Sequence, residues 1–467
     1  MMNELTINLN PEKVAPLYEQ IYEYIRKDIQ RGQLTVGARL PSTRALAQYL
    51  EVSRSTVVLA YEQLLSEGYI ESRPCKGFFV AEIEGLYQLS TKEVRFRTKL
   101  EKKETVEFDF SPSGVDLNSF PYSVWRKLSK EVLLDARAEL FRVGDPQGEP
   151  GFRRAICTYL HQARGVVCTP EQVIVGAGSD CVLLILSLIL GRDRVIAFED
   201  PAYRQAYRLA KGMDYDTIPV EMDRQGMQVS KLRQTKADTA YVTPSHQFPT
   251  GVIMPLGRRM ELLKWAGERE GRYIIEDDYD SEFRYKGKPI PALQGYDRQG
   301  RVIYLGTFSK SIAPAIRLSY MVLPEPVLEE YRKKARFIQS TVSKVDQMIV
   351  QRFLEEGYYE RHLNKMRAAY KGRHDVLLEE MKALLPVCKV EGEHSGVHIL
   401  LRFSEGYREE ELIRKAGEKG IRVYGLSGFY IGRKKETEAV LLLGYATLTE
   451  EEIRQAVRRL KDCWKEE

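Results

Sequence analysis

Apolar residues at the start of the chain recur at a spacing that predicts helices. Within residues 16–31 they lie every fourth position, on one face of an amphipathic helix: Leu17, Ile21, Ile25 and Ile29. Ser42 and Ser53 are good N-caps for two further helices. Two short β-like runs follow, on either side of residues 74–77. This order of helix, helix–turn–helix and β-wing predicts a winged helix-turn-helix over residues 11–80.

From about residue 109 the pattern changes to short apolar runs that alternate with helical segments. The runs are rich in β-branched residues and lie at 173–175, 195–198, 240–242, 273–275 and 302–305. Strands of this kind are buried on both faces, as in a parallel sheet covered by helices. We therefore expect an α/β domain with a mostly parallel sheet over residues 109–467.

The end of the chain predicts a smaller α+β subdomain at about 350–467. A helical pattern spans roughly 347–385, and strand candidates follow at 397–403 and 440–444. Thr449 and Glu452 have the spacing of a capping box at the start of a last helix. Residues 81–108 are charged and hold few apolar anchors, which is typical of a linker.

Composition adds limits to this outline. The chain has 467 residues, 43% of them hydrophobic and 29% charged, and a net charge of +5 that does not by itself indicate nucleic acid. No signal sequence is evident, and the most apolar run, 181–190, is too short to span a bilayer, so we expect a cytoplasmic protein. The six cysteines lack CxxC spacing, which favours reduced thiols, and we predict no metal site.

Polar residues that follow the predicted strands indicate a cofactor site. Lys310 lies at the polar turn beyond the strand at 302–305, where a lysine can be partly desolvated and react with an aldehyde. The ends of parallel strands meet at one edge of a sheet, so the residues after the other strands should lie near it. These candidates are Gly178, Ser179, Tyr203, Asp277, Tyr279, Thr307, Ser309 and Arg317.

Together these side chains match the requirements of pyridoxal 5′-phosphate (PLP). Lys310 would form the internal aldimine, Asp277 would keep the pyridine nitrogen protonated, and Tyr279 could donate to the phenolic oxygen. Tyr203 could stack on the ring. The phosphate would be bound by the remaining candidates: Gly178, Ser179, Thr307, Ser309 and Arg317. Each residue alone also has a structural interpretation, as a core, capping or surface residue.

Basic residues of the first eighty positions fall at helix starts and at the tip of the wing: Arg39, Arg44, Arg54, Arg73 and Lys76. Helix N-termini and arginines bind phosphates, and the first turn of the second helix of such a motif faces base edges. This layout favours DNA binding over the alternative, a winged helix that binds protein.

The same segment closely resembles the GntR-type winged helix. The motifs that carry the resemblance are at 16–18, 37–44, 52–57 and 67–69. The resemblance implies that DNA is contacted by Arg44, Ser53, Arg54 and Thr56, with Lys76 and Gly77 on the wing.

Residues from about 108 to 465 resemble the fold-type I, aspartate aminotransferase-like PLP enzymes. Residues 145–148 and Arg153 are similar to an early segment on the substrate side of those enzymes. A winged helix fused to such a domain is the arrangement of MocR-type regulators of the GntR superfamily. The resemblance implies a homodimer that binds operator DNA and senses an amino compound, such as an amino acid or a γ-aminobutyrate-like molecule.

The chain departs from the aminotransferase pattern on the substrate side. Phe248 stands where those enzymes usually have the asparagine that contacts the ring oxygen. Asp277 and Tyr279 are two positions apart rather than three. The strand that usually carries the substrate-binding arginine is the apolar run 440–444, so Arg433 or Arg204 is the candidate for the effector's carboxylate.

These features lead to one leading function and two alternatives. The first is a regulator, not an enzyme, that senses its effector by external aldimine formation at Lys310, with residual half-transamination allowed. The second is an active aminotransferase with an accessory DNA-binding domain. The third is a regulator that senses PLP itself. The sequence does not identify the effector, the operator, or whether transcription is activated or repressed.

Overall fold

A computed structural model of the chain describes residues 7, 9–10, 15–82, 106–285, 290–384, 387–392, 396–432 and 438–464. The chain divides into two compact units, Met1–Lys102 and Lys103–Glu467. Most of the predicted linker, residues 83–105, lies outside the described residues, as do residues 11–14 at the start of the predicted winged helix.

The first unit is a winged helix-turn-helix, as the hydrophobic pattern predicts. Its elements are α1 (Leu17–Gln30), α2 (Thr43–Tyr49), α3 (Arg54–Ser66) and the antiparallel strands β1 (Ile70–Arg73) and β2 (Gly77–Val80). The hydroxyl of Ser42 accepts a hydrogen bond from the Ala45 N–H (3.1 Å), and that of Ser53 accepts one from the Thr56 N–H (3.2 Å). Both predicted N-caps are confirmed.

The second unit alternates helices and strands. Its helices are α4 (Tyr122–Ala136), α5 (Pro150–Arg164), α6 (Ser179–Leu190), α7 (Arg204–Gly212), α8 (Val229–Arg233), α9 (Leu256–Gly267), α10 (Glu325–Lys334), α11 (Lys344–Glu355), α12 (Tyr358–Met381), α13 (Glu409–Glu418) and α14 (Glu450–Trp464). Its strands are β3 (Phe108–Asp109), β4 (Val173–Gly176), β5 (Val195–Asp200), β6 (Asp216–Asp223), β7 (Gly226–Met227), β8 (Thr239–Val242), β9 (Tyr273–Asp278), β10 (Val302–Thr307), β11 (Ser319–Val322), β12 (Cys388–Glu391), β13 (His398–Phe403), β14 (Ile421–Arg422), β15 (Tyr424–Gly425) and β16 (Val440–Gly444).

The larger sheet has the order β4-β11-β10-β9-β8-β5-β6-β7, and its central strands are parallel. The mostly parallel α/β sheet is therefore confirmed. Strand β11 was not predicted; it runs antiparallel to both β10 and β4. The chain between β10 and β11 contains Lys310 and Arg317, so this reversal returns both residues to the same edge of the sheet.

Strand β9 is longer than its apolar residues indicate. It continues through Glu276, Asp277 and Asp278, and all three carboxylates are buried. The sequence interpretation placed these residues beyond the strand, because consecutive acids are unusual in a strand that is buried on both faces.

The C-terminal part forms a separate sheet with the order β12-β13-β16-β15. The predicted long helix at 347–385 is divided into α11 and α12, because Gly357 adopts a left-handed conformation (φ 71°) between them. The capping box at the start of α14 is confirmed: the Thr449 N–H donates to a Glu452 carboxylate oxygen (2.7 Å) and the Glu452 N–H donates to Thr449 Oγ1 (3.2 Å).

Gly306 lies where β10 pairs with β11, at a position with no space for a side chain. A Cβ atom at this position would lie 2.4 Å from the ring of Tyr320. We expect Gly306→Ala to lower the free energy of unfolding by roughly 1–3 kcal/mol, because the buried ring has to move. Urea denaturation followed by tryptophan fluorescence measures the second unit alone, since it contains every tryptophan: Trp125, Trp265 and Trp464.

The matched control is Gly257→Ala in α9, where a new Cβ meets nothing within 4 Å. Equal unfolding midpoints for the two variants would contradict the close packing of Gly306 against Tyr320.

Candidate functional site

The ends of β9 and β10 and the start of α6 border one cavity of about 230 Å³. Most of the residues predicted for the cofactor line it: Ser179, Tyr203, Asp277, Tyr279, Thr307, Ser309, Lys310 and Arg317. Gly178 is the N-cap residue of α6, directly before Ser179. The lining also includes residues that sequence reasoning did not select: Ser113, Asp180, Gln205, Phe248 and Pro314.

Lys310 presents a half-buried amine to this cavity. Burial lowers the pKa of Lys310 to about 8, and the nearby carboxylate of Asp280 opposes this shift. The Nζ atom donates a hydrogen bond to the backbone oxygen of Ser113 (2.6 Å). An amine with this pKa is partly neutral near physiological pH, and the neutral form is the nucleophile that attacks an aldehyde.

The start of α6 brings a guanidinium close to backbone amides. Gly178 has a φ of +87°, and a Cβ atom there would lie 2.3 Å from Nη2 of Arg317. Arg317 itself adopts a left-handed conformation (φ 48°) and forms an ion pair with Asp180 (2.9 Å). The first amides of a helix have no intrahelical acceptors, so this corner can bind an anion on N–H groups and on the guanidinium.

Hydroxyl groups at the end of β10 complete this corner. Thr307 Oγ1 accepts hydrogen bonds from the Ser309 N–H (3.1 Å) and from the Ser319 hydroxyl (2.8 Å). The hydroxyl of Ser309 is buried and has no hydrogen-bond partner among the described residues. A buried hydroxyl is rarely left unsatisfied, so its position at the cavity fits a ligand with acceptor oxygens.

Asp277 presents a buried carboxylate from β9. Burial raises the pKa of Asp277 to about 6, and a hydrogen bond from the Tyr241 hydroxyl opposes this shift. At neutral pH the carboxylate is mainly ionised and can accept a hydrogen bond from a protonated ring nitrogen. Tyr241 was not among the predicted residues, because it lies inside an apolar strand. The pairing of β8 with β9 brings it near Asp277.

Tyr279 is part of a buried polar chain. Its hydroxyl lies 3.0 Å from Nδ1 of His246, and the same nitrogen lies 2.9 Å from a carboxylate oxygen of Asp280. Burial and the charge of Asp280 raise the pKa of Tyr279, so the phenol stays protonated. Nearby, Tyr203 and Phe248 pack edge to face with ring centroids 5.8 Å apart.

Of the two predicted effector arginines, the structure describes only Arg204, and it is not brought to the cavity. Arg204 does not line it and donates to the backbone oxygen of Gly428 (2.5 Å). Arg433 lies outside the described residues. Arg153 is buried and donates to the backbone oxygens of Gly148 (2.9 Å) and Pro170 (2.6 Å), so it fastens two loops.

The residues predicted to contact DNA lie at the start of α2, at the start of α3 and on the wing. Arg44, Arg54 and Lys76 are exposed, and none forms an ion pair with another residue of the described chain. Ser53 and Thr56 share a hydrogen bond (2.7 Å) in the first turn of α3. Gly77 begins β2 with a φ of +101°.

Arg73 differs from these three basic residues. Its guanidinium forms an ion pair with Glu71 (2.6 Å) and lies 4.5 Å from the centre of the Phe79 ring. It is therefore less available to a phosphate group than Arg44, Arg54 or Lys76.

None of the described helices has the length and hydrophobicity needed to cross a membrane. No group of His, Cys, Asp or Glu side chains among the described residues has the arrangement of a metal site.

Two family models match the chain. Residues 17–80 match bacterial regulatory proteins of the gntR family, and residues 114–460 match aminotransferase class I and II. The uncharacterized HTH-type transcriptional regulator YhdI of Bacillus subtilis (strain 168) is 40% identical, over 99% of this chain and 98% of its own length. The probable rhizopine catabolism regulatory protein MocR of Rhizobium meliloti is 32% identical, over 98% of this chain and 95% of its own length.

Among solved structures, the α-aminoadipate aminotransferase LysN from Thermus thermophilus is similar to this chain, with a TM-score of 0.68 and 25% identity. The match covers 78% of this chain and 92% of LysN, which was solved with N-(5′-phosphopyridoxyl)-L-leucine. The chain therefore belongs to the aminotransferase class I and II family, among the HTH-type transcriptional regulators such as MocR that join this domain to a gntR-type DNA-binding domain.

Proposed function

We propose that the protein is a PLP-dependent transcriptional regulator that binds operator DNA and senses an amino compound at Lys310. The observation that carries this proposal is the cavity of the second unit, where a partly neutral lysine amine lies among groups suited to a phosphate and a pyridine ring. PLP supplies an aldehyde that captures primary amines and a ring that withdraws electrons. The exposed basic residues of the first unit supply the DNA-binding surface.

The residues of the cavity suit the phosphate, the ring and the aldehyde of PLP. Ser309, Thr307, Arg317 and the amides after Gly178 can bind the phosphate, and the unsatisfied Ser309 hydroxyl supports this assignment. Asp277 can accept a hydrogen bond from the ring N–H, and Tyr279 can donate one to the phenolic oxygen. Tyr203 can cover one face of the ring. Lys310 would bind the aldehyde covalently until an amino compound, such as an amino acid or a γ-aminobutyrate-like molecule, displaces it.

A homodimer is part of this proposal. Large apolar side chains are exposed on α4 and in the segment after it: Leu133, Leu134, Phe141 and Val143. Phe141 and Val143 are 79% and 80% exposed, which is more typical of a surface that another chain covers than of a free one.

Mixing the purified protein, loaded with PLP, with candidate primary amines tests the proposal. We expect a change in the visible absorbance of the lysine-linked cofactor with the right amine, and no sustained keto product when 2-oxoglutarate is present. Lys310→Ala should lose the absorbance of the lysine-linked form and keep operator binding at low salt.

The other outcomes identify the alternatives. Repeated turnover to a keto product would make the protein an aminotransferase with an accessory DNA-binding domain. Operator binding that depends on PLP, with no response to any amine, would make it a sensor of PLP itself. Loss of DNA binding in a folded Lys310→Ala protein would contradict separate DNA-binding and sensing sites.

The reactivity of Lys310 should depend on pH in a defined way. Because burial lowers the pKa of Lys310 to about 8, the amine is protonated and unreactive below this pH and neutral above it. We expect the rate of covalent capture of PLP by the cofactor-free protein, trapped with borohydride, to reach half its maximum near pH 8. An ordinary lysine titrates near pH 10.4, so a midpoint close to that of a free lysine derivative would contradict the burial of this amine.

Arg54 should contribute to specific DNA binding. We expect Arg54→Ala to weaken binding to a duplex selected by the wild-type protein by roughly 1–3 kcal/mol, measured by fluorescence anisotropy, while the cofactor absorbance is unchanged. Arg31→Ala at the end of α1 makes the same change in charge and serves as the control. Equal losses for both variants would indicate a general effect of charge and contradict a specific contact.

A further inference from the structure

A pair of cysteine thiols lies close together in the second unit, apart from the cavity at Lys310. Cys157 lies in α5, and Cys168 lies in the loop that leads from α5 towards β4. Their sulfur atoms are 3.5 Å apart, and both residues are partly exposed. We propose that Cys157 and Cys168 form a dithiol site that low-molecular-mass disulfides convert into an intramolecular disulfide bond.

The local backbone brings the two thiols together. Gly165 ends α5 in a left-handed conformation (φ 66°), with its N–H bonded to His161 O and the Val166 N–H bonded to Leu160 O. A bond from the N–H of a left-handed residue to the carbonyl four positions earlier is typical of the αL cap, which ends a helix and turns the chain away from its axis. Cys168 is thereby returned to the side of α5 that carries Cys157.

Contacts on both sides of Cys168 fix its position. The Val167 N–H donates to the Gln294 side-chain oxygen (2.9 Å), and the Gln294 amide donates back to Val167 O (2.8 Å). Beyond Cys168, the buried guanidinium of Arg153 donates to Pro170 O (2.6 Å). The loop is therefore held next to α5, and a bond between the sulfurs requires only a short approach.

The hydrogen bond between the thiols assigns different roles to them. The Cys168 thiol donates to Cys157 Sγ, which lowers the pKa of Cys157 and raises the pKa of Cys168. The thiolate is the nucleophile in thiol–disulfide exchange, so Cys157 attacks first and Cys168 resolves.

The reaction balances with one disulfide, RSSR, as the oxidant. The Cys157 thiolate attacks one sulfur of RSSR, forms a mixed disulfide and releases RS⁻. Cys168 then loses its proton and attacks Cys157 Sγ, which forms the intramolecular bond and releases the second RS⁻. Two protein thiols are oxidised, RSSR is reduced to two RSH, and the two protons pass from the cysteines to the leaving thiolates.

The other cysteines of the chain lack this arrangement and provide internal comparisons. Cys75 is exposed, whereas Cys388 and Cys463 are buried. Cys181 is partly exposed like the pair, but its thiol donates to the hydroxyl of Thr341 (3.3 Å).

Treatment of the full-length protein with oxidised glutathione, followed by alkylation and peptide mass spectrometry, tests the proposal. We expect the peptides of Cys157 and Cys168 to become joined, with a loss of about 2 Da, and dithiothreitol to reverse the change. Cys181 should remain alkylatable. The proposal is overturned if both thiols of the pair stay alkylatable after Cys75 has formed its mixed disulfide.

Single variants test the order of attack. In Cys168→Ser, Cys157 should stop at the glutathione adduct because no resolving thiol is present. In Cys157→Ser, Cys168 should react more slowly than Cys157 does in Cys168→Ser, because burial still raises the pKa of Cys168. Cys181→Ser is the matched control and should form the disulfide at the wild-type rate. Circular dichroism checks that each variant is folded; faster modification of Cys168 than of Cys157 would reverse the assigned roles.

Discussion

The burial of consecutive carboxylates at the end of β9 is the constraint on which the cavity depends. The oxygens of Glu276 accept the backbone N–H groups of Leu293 (2.7 Å) and Gln294 (2.8 Å). Asp278 accepts hydrogen bonds from Nε of the buried Arg164 (2.8 Å) and from the hydroxyl of Tyr304 (2.6 Å). Arg164 and Asp278 form a buried ion pair. Removing one member of such a pair typically lowers the free energy of unfolding by about 3–5 kcal/mol, because the other charge is left uncompensated. Their partners hold Glu276 and Asp278 in the strand, and Asp277 between them reaches the cavity.

Local features of the sequence were sufficient to predict much of both units. The caps at Ser42 and Ser53 depend on a side chain and an amide three positions away, so the sequence contains both partners. The buried strands β4, β5, β8 and β10 could also be predicted locally, because their burial follows from their own apolar composition. The candidates around Lys310 followed from the rule that ligands bind beyond the carboxyl ends of parallel strands.

Features that depend on distant partners could not be predicted. The true end of β9 depends on Arg164 and Tyr304, and no local pattern links these residues to Asp278. The direction of β11 is set by its pairing with β10 and β4, so its composition gave no signal. The hydroxyl of Tyr279 is close to His246, which lies 33 positions earlier in the chain and also contacts Asp280. Sequence alone contains the residues of such a polar chain but not their contacts.

The surroundings of the arginines differ between the two units. This difference supports the proposal that the second unit binds a small molecule and the first unit binds DNA. At the cavity, Arg317 is already paired with Asp180, and Arg204 is bound to backbone. No other arginine of the described residues lines the cavity, and Arg317 is the one that we assign to the phosphate of the cofactor. In the first unit, Arg44 and Arg54 are exposed and have no acidic partner within the described chain. The groups at the cavity suit a phosphate and a pyridine ring, and the exposed arginines of the first unit suit the phosphates of DNA; both support the proposed regulator.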